Sequence, residues 1–158
     1  MNITVIGVGK IKEKFFADAL KEYSKRLGRF GSFEIIEIPD ESIPQNASEK
    51  QQEQIKKREG QKILSKLKPQ SLVIAMCIEG EEVTSTELAG IISDAALKYG
   101  RVFFIIGGSL GLSEEVKRRS DMMLSFGRIT LPHQLMRVVL TEQIYRAFMI
   151  NSGSAYHK

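Results

Sequence analysis

The sequence predicts one α/β domain, residues 1–158, whose mostly parallel sheet is covered by helices on both faces. Short apolar runs typical of strands alternate with longer amphipathic runs typical of helices along the whole chain. Because strands that alternate with helices connect readily as parallel neighbours, this order favours a parallel sheet. The run at 102–106 contains only β-branched and aromatic residues, which is typical of a strand buried on both faces. A content of 42% hydrophobic and 27% charged residues suits a globular protein with a real core.

The first part of the chain contains three strand patterns and two helix patterns. Apolar side chains recur at four-residue spacing from Phe15 to Leu27, which indicates an amphipathic helix. Pro39 ends the second strand, and Ser48 forms a capping-box pattern with Gln51 that begins the second helix. The predicted strands are Asn2–Val8, 33–38 and 71–78, and the predicted helices are Lys14–Leu27 and 48–66.

The second part of the chain continues the same alternation. Thr84 and Glu87 form another capping box, and Gly100 is a helix stop signal. Ser113 can cap a short helix, and a loop at 127–133 precedes the last helix. The predicted strands are 102–106 and 122–126, the predicted helices are 84–99, Glu114–Arg119 and 134–150, and a tail follows at 151–158.

The last predicted helix, 134–150, is apolar around nearly its whole circumference. A helix of this kind is buried on several sides. In so small a domain, a second subunit is the natural cover for one of those sides. We therefore expect a homodimer, with the central helix of a monomeric core as the alternative.

Three loops are the expected ligand site. Parallel sheets bind ligands beyond the carboxyl ends of their strands, which points to the loops after Ile78, Ile106 and Phe126. The segment 107–111 contains three glycines, and glycines let backbone approach a ligand closely. This suits a flat adenosine, and the alternative is a tight connection without a ligand.

The same glycine segment raises a second possibility, a serine hydrolase. Residues 107–111 match the Gly-x-Ser-x-Gly pattern, and Ser109, Asp121 and His133 follow in the order of a catalytic triad. A nucleophile elbow requires a helix that begins directly after the serine, however, and the helix signal begins only at Ser113. The hydrolase is therefore the weaker reading.

Composition limits the partners and the compartment. A net charge of +4 permits an anionic partner without requiring one. Cys77 is the one cysteine and lies in an apolar run, as expected for a core thiol in a reducing compartment. His133 and His157 have no partners at metal-ligand spacing, so we expect no metal. No apolar run reaches membrane-spanning length and no signal-peptide pattern precedes the first strand, so we expect a cytoplasmic protein without membrane attachment.

Basic residues and the C-terminal tail are candidate contacts to nucleic acid. Tyr156, His157 and Lys158 combine an aromatic ring, a titratable ring and a charge, which can stack on a base and hold a phosphate. A frayed terminus is the alternative. Most basic side chains belong to solvated helix faces, and some of them could contact phosphates. The basic clusters are Lys10, Lys12 and Lys14; Lys25, Arg26 and Arg29; Lys56, Lys57, Arg58 and Lys62; and Lys117, Arg118 and Arg119.

The C-terminal half carries a more specific signal in its exact residues. This signal lies in the segments 105–112, 124–126, 130–138, 142–147 and 156–158. Through them the chain closely resembles the SPOUT-class methyltransferases that act on large-subunit (23S) ribosomal RNA, and the resemblance covers nearly its whole length. Ala155 stands where some members have a proline before the final Tyr-His.

The resemblance implies a fold and a reaction that composition does not reveal. The fold would be an α/β knot with the C-terminal segment threaded through a loop, and the protein would be a homodimer. The methyl donor would be S-adenosyl-L-methionine, with S-adenosyl-L-homocysteine as product. The substrate would be N3 of a pseudouridine in a hairpin loop of 23S rRNA within the assembled ribosome. A ribosome-binding or assembly module without catalysis is the alternative.

The resemblance also implies site residues. We expect Met76, Ile129 and Leu131 to pack against adenine while loop backbone groups hydrogen-bond it. The implied cofactor residues are Met76, Gly107, Phe126, Gly127, Arg128, Ile129, Thr130 and Leu131.

Methylation of N3 requires loss of a weakly acidic proton, and four residues are candidates for assisting it. We expect Arg137 or Arg128 to supply positive charge, and His157 with Tyr156 to orient the base or accept the proton. Arg137 is chosen because it lies on the small polar surface predicted for its helix. The alternative role for Arg137 is a structural pairing with a carboxylate.

Overall fold

The computed structural model of the chain describes residues 1–157, so Lys158 of the predicted tail lies outside the described residues. Five strands alternate with five helices, and this order confirms the predicted α/β class. The strands are β1 (Asn2–Val8), β2 (Ser32–Ile38), β3 (Leu72–Glu82), β4 (Arg101–Ile106) and β5 (Met122–Ser125). The helices are α1 (Lys14–Leu27), α2 (Glu49–Leu64), α3 (Ser85–Lys98), α4 (Glu114–Arg119) and α5 (His133–Asn151).

The five strands form one sheet in the order β2-β1-β4-β3-β5. All four neighbouring pairs are parallel, so the loops that follow the strands meet at one edge of the sheet. Because β1 pairs with β4, the first strand of the chain lies near the centre of the sheet. The edge where the strands end is called the carboxyl edge below, and the opposite edge is called the amino edge.

Helices cover both faces of the sheet, as the sequence predicts. On one face α1, α3 and α5 pack around buried residues such as Leu88, Leu140 and Ile144. On the other face α2 and α4 contribute Ile63 and Val116 to a smaller core. No helix within residues 1–157 is both long and apolar enough to span a membrane.

The helix starts confirm the sequence signals. Ser48 and Thr84 each accept a hydrogen bond from the third residue of their helix, and both capping boxes are closed by the return bond. Ser113 caps α4 in the same way through Val116. Each cap satisfies a backbone N–H that would otherwise lack a partner, which fixes where the helix begins.

Strand β3 is longer than predicted, because it runs to Glu82 rather than to residue 78. Both Met76 and Glu81 align with Leu124 of β5, so residues 77–80 form a bulge between two paired stretches. A β-carbon on Gly80 would lie 2.6 Å from the backbone of Leu124, so only glycine fits there. The apolar run that predicts this strand ends at the bulge, because the residues that pair beyond it are exposed and polar.

Candidate active site

The main cavity lies at the carboxyl edge and has a volume of about 390 Å³. Pockets of this size are typical of sites for small molecules. Its walls come from the ends of β3, β4 and β5 and from the start of α5, so the cavity lies at the loops where the sequence predicts a ligand site. The lining comprises residues 76–79, 106–112, 124–127 and 129–131 together with Lys117, His133 and Met136.

The glycine-rich segment 107–111 turns back on itself at the wall of this cavity. Gly111 donates a backbone hydrogen bond to the carbonyl of Gly108 over 3.0 Å. A β-carbon on Gly107 would lie 2.8 Å from the backbone of Gly111, and Gly111 has a φ of +84°. The glycines are therefore needed first by the loop itself, and the tight loop leaves backbone exposed to the cavity.

The loop after β5 forms the facing wall. Ser125 holds it by accepting from the Gly127 N–H over 3.2 Å and donating to the Gly127 carbonyl over 3.0 Å. Ile129 of this loop is 82% exposed and lines the cavity. Seven of the eight predicted cofactor residues line the cavity: Met76, Gly107, Phe126, Gly127, Ile129, Thr130 and Leu131. The eighth, Arg128, is exposed on the same loop outside that lining.

An ion pair on the cavity wall was missed by the sequence analysis. The Lys117 ammonium contacts the Glu79 carboxylate, and both side chains line the cavity. This contact lowers the pKa of Glu79 and raises the pKa of Lys117, so both groups stay charged. The bulge in β3 and the position of α4 bring the two together, and no sequence motif signals that pairing.

The predicted surface position of Arg137 is wrong, because its side chain is fully buried. The guanidinium lies against Gly7 and donates from Nη2 to the Val8 carbonyl over 2.5 Å. Its Nη1 lies 3.7 Å from a Glu37 carboxylate oxygen, near enough for ionic attraction and too far for a hydrogen bond. Nε and Nη1 have no hydrogen-bond partner among the described residues. The alternative in which Arg137 pairs structurally with a carboxylate therefore fits the structure better.

His133 begins α5 and lines the main cavity. Burial and the nearby Arg137 charge lower the pKa of His133, which favours the neutral imidazole. The ring also borders a small acidic pocket that contains Asp40 and Glu59. Burial raises the pKa of Glu59, whose carboxylate accepts from the Glu41 N–H over 3.0 Å.

The structure separates the three residues of the hydrolase alternative. The Asp121 carboxylate accepts a hydrogen bond from the Val73 N–H over 2.8 Å, at the start of β3 and therefore at the amino edge. Ser109 and His133 lie at the carboxyl edge. A triad needs its carboxylate beside the imidazole, so this arrangement does not support a serine nucleophile.

The C-terminal tail packs on the second half of its own α5. Arg146 pairs with Glu142 over 2.7 Å and lies over the Tyr156 ring at 4.9 Å. The Tyr156 hydroxyl donates to Glu142 over 3.3 Å, and Arg146 Nη1 is 3.4 Å from His157 Nδ1. Burial and the Glu142 charge raise the pKa of Tyr156. Glu142 and Arg146 belong to the segment 142–147 that carries the family resemblance. In the structure their side chains hold the tail against α5.

Within one chain the tail and the cavity are far apart. Arg146 lies thirteen residues after His133 on α5, which corresponds to about 20 Å along the helix axis. The Tyr156 ring contacts Tyr145, which also packs on Phe30 near the amino edge. The structure therefore does not bring the tail to the loops of the same chain that are predicted to bind the cofactor.

Comparisons with known proteins identify the family. The model of a predicted SPOUT methyltransferase family matches residues 1–157. The chain is 54% identical over 160 residues to a protein of Lactiplantibacillus plantarum named ribosomal RNA large subunit methyltransferase H. It is 55% identical over 159 residues to the protein of that name in Lactococcus lactis. Both alignments cover 100% of each chain.

Solved structures support the fold at low sequence identity. A probable methylase family protein from Haemophilus influenzae aligns with a TM-score of 0.54 at 12% identity, over 99% of this chain and 70% of that one. A tRNA (m1G37) methyltransferase from Aquifex aeolicus aligns with a TM-score of 0.53 at 17% identity, over 92% of this chain and 70% of that one. The family model and the full-length relatives agree with this fold, and the chain belongs to the SPOUT methyltransferase family.

Proposed function

We propose that this protein transfers a methyl group from S-adenosylmethionine to the RNA of the large ribosomal subunit. The observation that carries the proposal is the cavity at the carboxyl edge, enclosed by three loops in a chain of the SPOUT methyltransferase family. Relatives that align over 100% of their length are named ribosomal RNA large subunit methyltransferases, which supports the choice of substrate. Ribosomes are cytoplasmic, and we place the protein there.

The cavity residues fit this methyl donor. Apolar walls at Met76, Phe126 and Leu131 suit the adenine faces, and the exposed backbone of 107–111 offers donors and acceptors to its edge. When bound, S-adenosylmethionine supplies a methyl group already activated on a sulfonium and is left as S-adenosylhomocysteine. The proposed cofactor residues are Met76, Gly107, Phe126, Gly127, Arg128, Ile129, Thr130 and Leu131.

The protein must then manage one proton on the RNA base. We propose that the target is N3 of a pseudouridine in 23S rRNA of the assembled ribosome, whose imide N–H is weakly acidic. His157 accepts that proton and Tyr156 orients the base, while a cation stabilises the imide anion. Arg128 is the better candidate for the cation because it is exposed beside the cavity, whereas Arg137 is enclosed in the core.

A homodimer would complete this site. The tail of each chain lies about 20 Å along α5 from its own cavity, so it cannot serve that cavity without leaving its present position. Between its buried positions, α5 also carries half-exposed apolar residues, including Val138 and Val139. Pairing of two chains through this helix would cover them and place the tail of one chain at the cavity of the other.

The decisive experiment is transfer of labelled methyl from S-adenosylmethionine to ribosomes from a strain that lacks this protein. The modified nucleotide is then mapped by mass spectrometry. We expect label on one pseudouridine of the large-subunit rRNA. Binding of S-adenosylmethionine without methyl transfer would refute the proposed rRNA substrate. If the protein neither binds S-adenosylmethionine nor transfers methyl, a ribosome-binding module without catalysis is favoured.

A further inference from the structure

We propose that residues 9–16 form a second RNA-contact surface, on which the exposed ring of Phe15 stacks a base of a single-stranded loop. The inference rests on the proposed function, since it names a surface that would hold the same RNA beside the cavity. Lys10 and Lys12 would contact the phosphates on either side of that base. No residue of this surface lines the main cavity.

The first observation is the exposure of Phe15. Its side chain is 63% exposed, although phenylalanine is among the residues most often buried. The ring of the half-buried Phe16 supports it, with ring centroids 4.4 Å apart and planes tilted by 58°. The supported ring therefore has a position fixed on one side and a surface open to solvent on the other, as a stacking platform requires.

The second observation is that the preceding loop is tied to β2 and to the start of α5. Three of its backbone N–H groups donate hydrogen bonds to other elements: Gly9 to the Ile38 carbonyl over 2.7 Å, Ile11 to the Glu37 carboxylate over 3.0 Å, and Lys12 to the Gln134 side chain over 3.0 Å. A loop held in this way presents its side chains without losing much conformational entropy on binding.

The third observation is charge. The segment 10–15 contains three lysines and one acidic residue, Glu13. Lys14 pairs with Asp18 over 2.5 Å, while the ion pairs found among residues 1–157 leave Lys10 and Lys12 unengaged. Two exposed ammonium groups beside an open aromatic ring match a nucleic acid strand, which offers phosphates and base faces in alternation.

The fourth observation is position. Gln134, which accepts the bond from Lys12, follows His133 at the start of α5, and His133 lines the cavity. The platform and the cavity therefore border the same end of one helix at the carboxyl edge. An RNA loop whose target base enters the cavity would have neighbouring nucleotides within reach of Phe15.

The test measures binding of the full-length protein to a fluorescein-labelled 20-nucleotide polyuridylate RNA. We expect Phe15→Ala to weaken this binding about tenfold and Phe15→Trp to restore it, because stacking tolerates any large aromatic ring. The double variant Lys10→Gln/Lys12→Gln should lower the slope of log affinity against log salt by about 1.4. The matched control is Leu97→Ala, which removes a side chain that is 86% exposed at the end of α3, near the amino edge.

Two further readouts separate the inference from the proposed function. Calorimetric binding of S-adenosylhomocysteine should be the same in all these variants, and Phe15→Ala should raise the KM for ribosomes with little change in kcat. Unchanged RNA binding by Phe15→Ala would overturn the inference. A change in oligomeric state on sedimentation would also overturn it, because Phe15 would then contact a protein. If the wild type fails to transfer methyl while RNA binding still depends on Phe15, the proposed function fails and the surface stands.

Discussion

The two ends of helix α5 hold their polar side chains in opposite ways. Near its start, Arg137 is fully buried and donates a hydrogen bond to the Val8 carbonyl of β1. Two of its nitrogens have no hydrogen-bond partner in the described chain. Near its end, Arg146 is 26% exposed and lies in a set of short contacts with Glu142, Tyr156 and His157.

The difference shows which end can move. Removing the Arg137 side chain would leave a void in the core, so the first end is fixed by packing. The second end is held by partly exposed polar contacts, which are each worth little in water. We infer that the start of α5 positions the cavity wall, and that the end can release the tail toward another binding partner.

The largest effect on methyl transfer is expected at His157, the proposed proton acceptor in the tail that follows α5. His157→Ala should lower kcat for methyl transfer at saturating ribosomes by about 100-fold, because the variant would lack the imidazole that we propose accepts the proton. Binding of S-adenosylhomocysteine should not change. Unchanged turnover would show that the base role is wrong.

Mixed dimers sharpen the same comparison. One chain carries His157→Ala and the other carries Gly107→Arg, whose β-carbon would collide with the Gly111 backbone and distort the cavity wall. If tails act on the partner's cavity, one of the two sites in each heterodimer combines the two defects and the other is intact. About half of the wild-type activity is then expected. If tails act on their own cavity, each site has one defect and activity is lost.

The fixed end can be tested through packing. A β-carbon on Gly7 would lie 2.3 Å from Arg137 Nε, so Gly7→Ala should lower the free energy of unfolding by about 1–3 kcal/mol. In the Arg137→Met background, Gly7→Ala should lower the free energy of unfolding by less than half of that amount, because the flexible methionine side chain can move away from the new methyl group. Urea unfolding of the four proteins measures the coupling, and additive effects would contradict the assigned contact.

A smaller effect is expected at the contacts that hold the tail. Glu142→Gln removes the charge that attracts Arg146 and accepts from Tyr156, so kcat should fall only a few-fold. The pKa of Tyr156 should fall, because the Glu142 carboxylate helps to raise it. Ultraviolet titration of the tyrosines measures this change, with Tyr99→Phe as the control that removes a tyrosine from a distant site.

The smallest effect is electrostatic and concerns His133. Arg137→Met should raise the pKa of His133, because the Arg137 charge disfavours the protonated ring. Since burial and Arg137 hold this pKa below its ordinary value of about 6.5, protonation destabilises the fold as pH falls through and below that value. The variant should lose less stability on acidification. NMR titration in a His157→Ala background follows the single remaining histidine, and a falling pKa would contradict the assignment.

The fold was largely predictable because its signals are local. Both capping boxes, the Ser113 cap and the apolar runs placed every helix and strand within a few residues. The exception is the end of β3, where a bulge interrupts the pattern and Glu81 pairs again with Leu124. Threading of the C-terminal segment through a loop stays a prediction of the family resemblance.

The site was predictable only in part because its charges depend on distant contacts. The loops were expected from the rule for parallel sheets, and seven cofactor candidates do line the cavity. Helix periodicity, however, could not show that Arg137 is buried against Gly7. The space for the guanidinium exists because Gly7, 130 positions earlier in the chain, has no side chain. The Glu79–Lys117 pair is likewise created by a bulge and a short helix.

The contact between Arg137 and Val8 also constrains how the molecule is made. It joins residues 129 positions apart, and β1 pairs with β4 rather than only with its neighbour in sequence. Synthesis begins at the amino terminus, so β1 emerges long before the strand and helix that enclose it. The nascent chain therefore carries β1 without its central partner until β4 has emerged, and it has an incomplete core until α5 has emerged. A chain truncated before α5 should therefore be a target for chaperones and proteases.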